Sequence, residues 1–142
     1  MPVVERQYLR YKNILCLEMK LDCIKVEEFA KKIDYSLDIL NLSRSGKIVI
    51  TQKSPFIEFL IPVDKCFPSN EYYSYKPEFK LVNAVRARHY GSFESIDSKV
   101  EELNEYIHDF SLSPITQPYF IVQDLKNEIY DVYIGINENI LP

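Results

Sequence analysis

Residues 26–40 read Val26-Glu27-Glu28-Phe29-Ala30-Lys31-Lys32-Ile33-Asp34-Tyr35-Ser36-Leu37-Asp38-Ile39-Leu40. Val26, Phe29, Ala30, Ile33, Leu37 and Leu40 recur at spacings of three and four, which puts them on one apolar stripe and predicts an amphipathic helix over residues 25–42. A second stripe, Ile96, Val100, Leu103, Ile107 and Phe110, predicts a helix over residues 95–110. Val26 pairs with Ile96, Ala30 with Val100, Ile33 with Leu103, Leu37 with Ile107 and Leu40 with Phe110, and every pair is 70 positions apart. Stripes in register over this distance point to an internal duplication.

The flanking segments repeat in the same order. Ser45-Gly46 reads as the stop of the first helix, followed by strand-like runs at 47–50 and 56–63 joined by a loop at 51–55. The second half has runs at 119–122 and 129–136 joined by 124–128, and Glu58-Phe59-Leu60-Ile61-Pro62-Val63 aligns with Asp131-Val132-Tyr133-Ile134-Gly135-Ile136. Leading strands at 14–20 and 80–90 complete the halves. A helix with one apolar face needs a sheet to bury it, so strand-helix-strand-strand, twice, predicts an α+β fold. Its sheet is mainly antiparallel and curved, with two helices on one face. The expected organisation is one domain over 1–142, with repeats at about 12–64 and about 79–138. The competing reading is two ordinary helices in an unrelated mixed fold.

Composition removes several classes of function. Hydrophobic residues form 46% of the chain and charged residues 27%, which excludes a disordered tail. With 17 basic and 21 acidic residues the net charge is -4, which argues against a nucleic-acid partner. No apolar run reaches the length of a membrane span, and residues 1–6 show no apolar leader core, so a cytoplasmic protein with no membrane partner is expected. Cys16, Cys23 and Cys66 form no Cys-x-x-Cys pair and read as reduced, mostly packed thiols. His89 and His108 lack metal-site spacing and read as structural or exposed, so no metal is expected. Gly46, Gly91 and Gly135 are the only glycines, which leaves no phosphate-cradling loop and no expected cofactor. Nothing local marks a catalytic triad.

Strand alternation assigns faces. Ile57, Phe59, Ile61 and Val63, and likewise Tyr130, Val132, Ile134 and Ile136, are expected to meet the helices. Glu58, Leu60 and Pro62, and Asp131, Tyr133 and Gly135, then face away, with a carboxylate at the same place in both halves. Such a face suits a groove for flat, apolar or cationic ligands, since rings supply area and a desolvated carboxylate selects positive charge. It equally suits a solvated sheet face with no function. Tyr90 and Tyr119 are further candidates to line the groove. Arg86 and Arg88 share a face and could neutralise Glu58 or Asp131. Tyr72, Tyr73 and Tyr75 crowd the crossover between halves, as a roof over the groove, a protein-contact patch or a packed edge strand. Glu27-Glu28 and Glu101-Glu102 read as solvated surface.

His89-Tyr90-Gly91-Ser92-Phe93-Glu94-Ser95-Ile96 resembles the turn that leads into the second helix of the GyrI-like (DNA gyrase inhibitor-like) effector-binding superfamily, with Ser92 in place of proline and Phe93 in place of tyrosine. The helix spacing that follows and the strands at 119–122 and 131–136 extend the resemblance over nearly the whole chain. It implies a duplicated β-α-β-β fold that binds small molecules, often lipophilic cations, between repeats, with an acidic residue on a late strand. That role falls on Asp131, one methylene shorter than glutamate, with Glu58 as its mate and Tyr133 beside it. Some relatives carry a DNA-binding helix-turn-helix, for which a first repeat beginning near residue 14 leaves no room, so a stand-alone member is expected. Some stand-alone relatives hydrolyse strained cyclopropane-bearing toxins with a glutamate near tryptophan. This chain has no Trp, although Glu58 or Asp131 with Tyr133 could orient a water. Accessory proteins beside secretion-system toxins are a third implied class.

Overall fold

The computed structural model describes residues 3–20 and 22–137, with residues 23 and 24 described by their backbone. Met1, Pro2, Glu138 and the Cys23 thiol, on which expectations above rest, lie outside the described residues. In chain order the elements are β1 (Val4–Met19), α1 (Cys23–Lys31), α2 (Ile33–Ile39), β2 (Val49–Lys53), β3 (Phe56–Pro62) and β4 (Ser74–Tyr90). A 3-10 turn (Phe93–Ser95) follows, then α3 (Asp97–Asp109), β5 (Ser113–Pro114), β6 (Tyr119–Asp124) and β7 (Ile129–Asn137). The fold is α+β, a duplicated β-α-β-β arrangement on an antiparallel, barrel-like sheet.

The strand order is β4-β1-β3-β2-β6-β7-β5, and β4 also pairs with β7, so six strands close into a ring with β5 appended to β7. The halves match strand for strand. β3 lies between β1 and β2, and β7 lies between β4 and β6. They meet along two seams, β2 with β6 and β1 with β4. Both long strands must bend to serve neighbours on two sides. In β1 the bending coincides with positive φ at Arg6 and Asn13 and with register shifts around Gln7, where bulges add local twist.

The helices cover one face. Val26, Ala30, Ile33, Leu37, Ile96, Leu103 and Ile107 are buried against Phe59, Ile61, Val85, Phe120, Val132 and Ile134 in one core. Phe93 is 1% exposed and meets Phe120 and Tyr130 edge-on at 5.3 and 5.8 Å, a burial that contributes about 1.5–3 kcal/mol. All eight residues expected to face the helices, from Ile57 to Val63 and from Tyr130 to Ile136 in alternation, belong to this core.

Several boundaries differ from the sequence expectation. The first helix is interrupted at Lys32 (φ -98°, ψ -4°), although its buried stripe runs through both pieces. It ends at Ile39, and its stop is Asn41 at φ 59° rather than Ser45-Gly46. Ser111, at φ 56°, ends α3 in the same way, and Leu42 N–H and Leu112 N–H donate to Leu37 and Ile107 carbonyls at 2.9 Å. The reversals leave Leu40 40% and Phe110 61% exposed, so the last member of each stripe does not join the core. The leading strands start at Val4 and Ser74 rather than at 14 and 80, because the extra residues are held by pairing across the β1–β4 seam, Val4 to Lys12 opposite Arg86 to Glu78 and Ser74 to Lys76 opposite Cys16 to Ile14, and carry little apolar patterning. Glu27 is half-buried and accepts the Tyr130 hydroxyl at 2.8 Å, and Glu102 pairs with the buried Lys99 at 2.6 Å, so neither is simply solvated. Cys16 is a buried free thiol, whereas Cys66 is exposed. Among the described residues no helix is long and apolar enough to cross a membrane.

Candidate functional site

The sheet face turned away from the helices is not a solvated surface. Ile14, Cys16, Val49, Leu60, Leu81, Ala84, Ile121 and Tyr133 form a second buried apolar cluster there, with Leu9, Tyr11, Phe79 and Tyr119 packed against it. Alternation explains the membership: β3 sends Ile57, Phe59 and Ile61 to the helix side and Leu60, beside Glu58, to this one.

Glu58 lies opposite Thr51 on β2 and opposite Glu18 on β1. Its side chain is 9% exposed and meets Lys53 Nζ at 3.3 Å, while Lys53 is itself 45% exposed. Hydrogen bonding and attraction from Glu58 push the Lys53 pKa up. Glu58 also lines two clefts. One, of about 430 Å³, is formed by Leu60, Phe79, Tyr119 and Ile14, with Lys53, Lys76 and Lys80 around it. The other, of about 230 Å³, is formed by Cys16, Glu18 and Glu71 under Tyr72 and Tyr73. Phe79 and Tyr119 meet edge to face at 4.9 Å. Burial, then the Glu58 charge, raises the Tyr119 pKa, and burial, countered in part by Lys76, raises that of the Cys16 thiol.

Asp131 occupies the matching place on β7, in different company. It is fully buried and lies opposite Arg88. Arg88 donates through Nε to Oδ1 at 2.8 Å and through Nη2 to Oδ2 at 3.1 Å, a bidentate pair. Gln123 Nε2 donates to Oδ2 at 2.7 Å, and Arg86 Nη1 approaches it at 3.8 Å. The hydrogen bonds and charge of Asp131 raise the pKa of Arg88. The question left open by the sequence, whether an arginine neutralises either carboxylate, is answered at Asp131 by Arg88. Among the described residues Glu58 is paired with the half-exposed Lys53 instead.

The other candidates separate accordingly. Leu60 and Tyr119 share the larger cleft with Glu58. Tyr133 is buried in the apolar cluster of that face, and its pKa is raised by burial and by Asp131. Tyr90 is 66% exposed at the end of β4 and lines neither cleft. Tyr73 packs tilted and Tyr75 edge-on against Phe67, and Tyr75 donates to Asn13 Oδ1 at 2.6 Å, leaving Tyr72 as the exposed ring of the three. Sequence reading missed Phe79, Lys53 and Glu18, which become neighbours of Glu58 only through strand register.

The turn at residues 89–96 has a structural task. His89 is buried, with Nε2 3.0 Å from the Ser92 carbonyl and 3.1 Å from Ser95 Oγ, and Gly91 adopts φ +149°. This turn drives Phe93 into the helix-side core. His108 is exposed, and among the described residues no cluster of three His, Cys, Asp or Glu side chains is placed to hold a metal.

No protein-family model matches the chain, and no curated protein matches it in sequence. Among solved structures it is similar to EcmrR, seen by cryo-electron microscopy in complex with DNA, with a TM-score of 0.75 at 11% identity. That match covers 96% of this chain and 57% of EcmrR, so the chain spans little more than half of EcmrR's length. It is also similar to a hydrolase from Listeria innocua, with a TM-score of 0.57 at 13% identity over 94% of this chain and 93% of that one. A hydrolase encoded by lin2189 of the same organism gives 0.56 at 10% identity over the same shares. At these identities the likeness is one of fold.

Proposed function

We propose that the chain is a small-molecule-binding module that takes flat, apolar compounds with a cationic group into the cleft at Glu58, without covalent chemistry. The observation that carries this reading is the meeting of Glu58, Leu60, Phe79 and Tyr119 around one space of about 430 Å³. Pockets of about 300–1,000 Å³ suit drug-sized ligands, and here Ile14, Leu60, Leu81, Phe79 and Tyr119 supply apolar and aromatic wall among charged and polar side chains. Rings attract cations through their faces, and a poorly hydrated carboxylate attracts them more strongly than one in water. Lys53 now occupies Glu58, but it is a half-exposed side chain whose ion pair contributes roughly 0–1 kcal/mol, so a ligand cation can displace it.

In this reading Asp131 holds Arg88 and the β4–β7 pairing in place rather than meeting the ligand, and Tyr133 belongs to the buried cluster that also holds Leu60. Tyr72 and Tyr73 roof the smaller cleft on the other side of Glu58. Lys76 and Lys80 also line this cleft but are exposed, so solvent screens them more than it screens the buried carboxylate.

The test is a thermal-shift screen with aromatic quaternary ammonium compounds and neutral analogues of the same shape, since a ligand that binds only the native state raises apparent stability. Shifts selective for the cations, abolished in Glu58→Gln and retained in Asp131→Asn relative to its own baseline, are expected. No shift across the panel, or identical shifts in Glu58→Gln, would end the proposal and favour a protein-contact role centred on the exposed Tyr72. Turnover of a strained electrophile, lost in Glu58→Gln, would instead mark Glu58 as a general base and move the reading to hydrolysis.

A further inference from the structure

A separate cleft opens on the helix side of the sheet, where the end of α1, the start of α2, residues 44–48 and the β6–β7 connection converge. It encloses about 540 Å³ and is lined by Ala30, Ile48, Val122 and Leu125, with Lys31, Asp34, Arg44, Lys47, Gln123 and Lys126 around them. Ala30, Ile48 and Val122 belong to the helix-side core, so the floor is apolar and continuous with the packed interior.

The rim is mainly basic. Among the described residues Asp34 is its only carboxylate, and Arg44 takes it through Nε at 2.8 Å and Nη2 at 3.2 Å, while Arg44 Nη1 donates to the Gly46 carbonyl at 2.9 Å. That pair cancels itself and fixes the loop. Lys47 Nζ donates to Gln123 Oε1, a neutral acceptor. Among the described residues none of Lys31, Lys47 and Lys126 makes an ion pair within 4.0 Å. Lys31, Lys47 and Lys126 thus line an apolar recess without a direct ion pair, Lys126 being attracted at longer range by Asp124 of the same turn, in a chain whose net charge is -4. The acidic surface elsewhere repels anions, so local positive potential at this cleft is what an anion would find.

We propose that this cleft binds a small anion with an apolar body, an aryl or short alkyl carboxylate or phosphate monoester. The apolar part lies on Ala30, Ile48, Val122 and Leu125, and the charged group is held by Lys47 and Lys126 with Lys31 beside them. Gln123 ties the site to the other face, because its amide also donates to Asp131. An anion that draws Lys47 away from Gln123 leaves the amide carbonyl without that donor, while the bond to Asp131 remains. The site is distinct from the cleft at Glu58 and does not depend on it.

The experiment is calorimetric titration of the full chain with phenyl phosphate, benzoate, benzamide and inorganic phosphate at low and high salt. Phenyl phosphate and benzoate are expected to bind, with the neutral benzamide weaker by about tenfold or more and binding weakened by salt. The double variant Lys47→Gln, Lys126→Gln should lose about tenfold in affinity for both anions, whereas Glu58→Gln should bind them as the native chain does. A second variant, Ala30→Leu, fills the recess and should weaken phenyl phosphate more than inorganic phosphate. Benzamide binding as tightly as benzoate, inorganic phosphate binding as tightly as phenyl phosphate, loss in Glu58→Gln or no binding of any anion would each overturn the proposal.

Discussion

Glu58 and Glu18 stand directly opposite each other across the β1–β3 pair, whereas the matching positions of the second half hold Asp131 and Arg88. The two halves thus place a carboxylate at matching positions and give it opposite neighbours. One carboxylate is spent within the protein, and the other lies beside a like charge with the half-exposed Lys53 to offset it.

Removing Lys53 should therefore open the Glu58 cleft to cations. Lys53→Met is expected to tighten binding of an aromatic quaternary ammonium probe by about three- to tenfold, because the competing internal cation is gone. Calorimetric titration of native and variant proteins measures the ratio, and weaker binding in Lys53→Met would contradict the placement of the ligand.

The two carboxylates should also differ in stability. Asp131→Asn strips Arg88 of its partner at a buried site. Breaking such a pair costs about 3–5 kcal/mol when both partners are buried, so about 2 kcal/mol is expected here, where Arg88 is 41% exposed. Glu58→Gln relieves repulsion from Glu18 and loses a weak contact, for a change within about 1 kcal/mol of zero. Urea unfolding of both variants reads the contrast, and equal losses would show the positions to be equivalent after all.

Alkaline pH should unfold the protein through its tyrosines. Burial raises the pKa of Tyr11, Tyr119, Tyr130 and Tyr133 above the ordinary value of 10.0, and at Tyr130 the hydrogen bond to Glu27 adds to it. A group whose folded pKa is raised contributes stability in full below its unfolded pKa and loses it as pH climbs toward the folded one. Stability should hold up to about pH 10 and then fall, with these phenols ionising together with unfolding rather than before it. Ultraviolet absorbance of tyrosinate followed alongside circular dichroism tests this, and early, independent ionisation of every phenol would refute it.

Gly91 is the least replaceable residue of the turn into α3. A Cβ there would lie 3.1 Å from Ser95 Oγ and 3.2 Å from His89 Nε2, at a φ of +149° that side chains rarely adopt. Gly91→Ala is expected to destabilise by about 1–3 kcal/mol and to loosen Phe93 from the core. Thermal unfolding gives the loss, and near-ultraviolet circular dichroism reports the aromatic packing.

Much of this architecture was legible because burial on one side leaves a periodic record. Val26, Ala30, Ile33 and Leu37, and Ile96, Leu103 and Ile107, are buried as their spacing requires, and alternation in β3 and β7 put Glu58 and Asp131 on the correct face. The seams left a weaker record: residues 4–13 and 74–80 pair across the halves, with alternating exposed and half-buried side chains and few strong apolar markers. The Lys32 break leaves the stripe intact and so leaves no trace in it. Site chemistry was the least legible part. Whether a carboxylate is free or taken depends on which residue stands opposite it, and Arg88 reaches Asp131 from a strand 43 positions earlier.

The closing strand of the ring also has consequences in time. β7 hydrogen-bonds to β4, β5 and β6, so the circle cannot shut until residues 129–137 have left the ribosome. Until then the nascent chain holds β4 with one side of its backbone unpaired and with Val85 and Ala87 short of their final neighbours. Such an edge invites pairing with another unfinished copy. Crowded synthesis, rather than the finished molecule, is where this fold is most exposed to aggregation, and slowing translation just before residue 129 would lengthen that exposure.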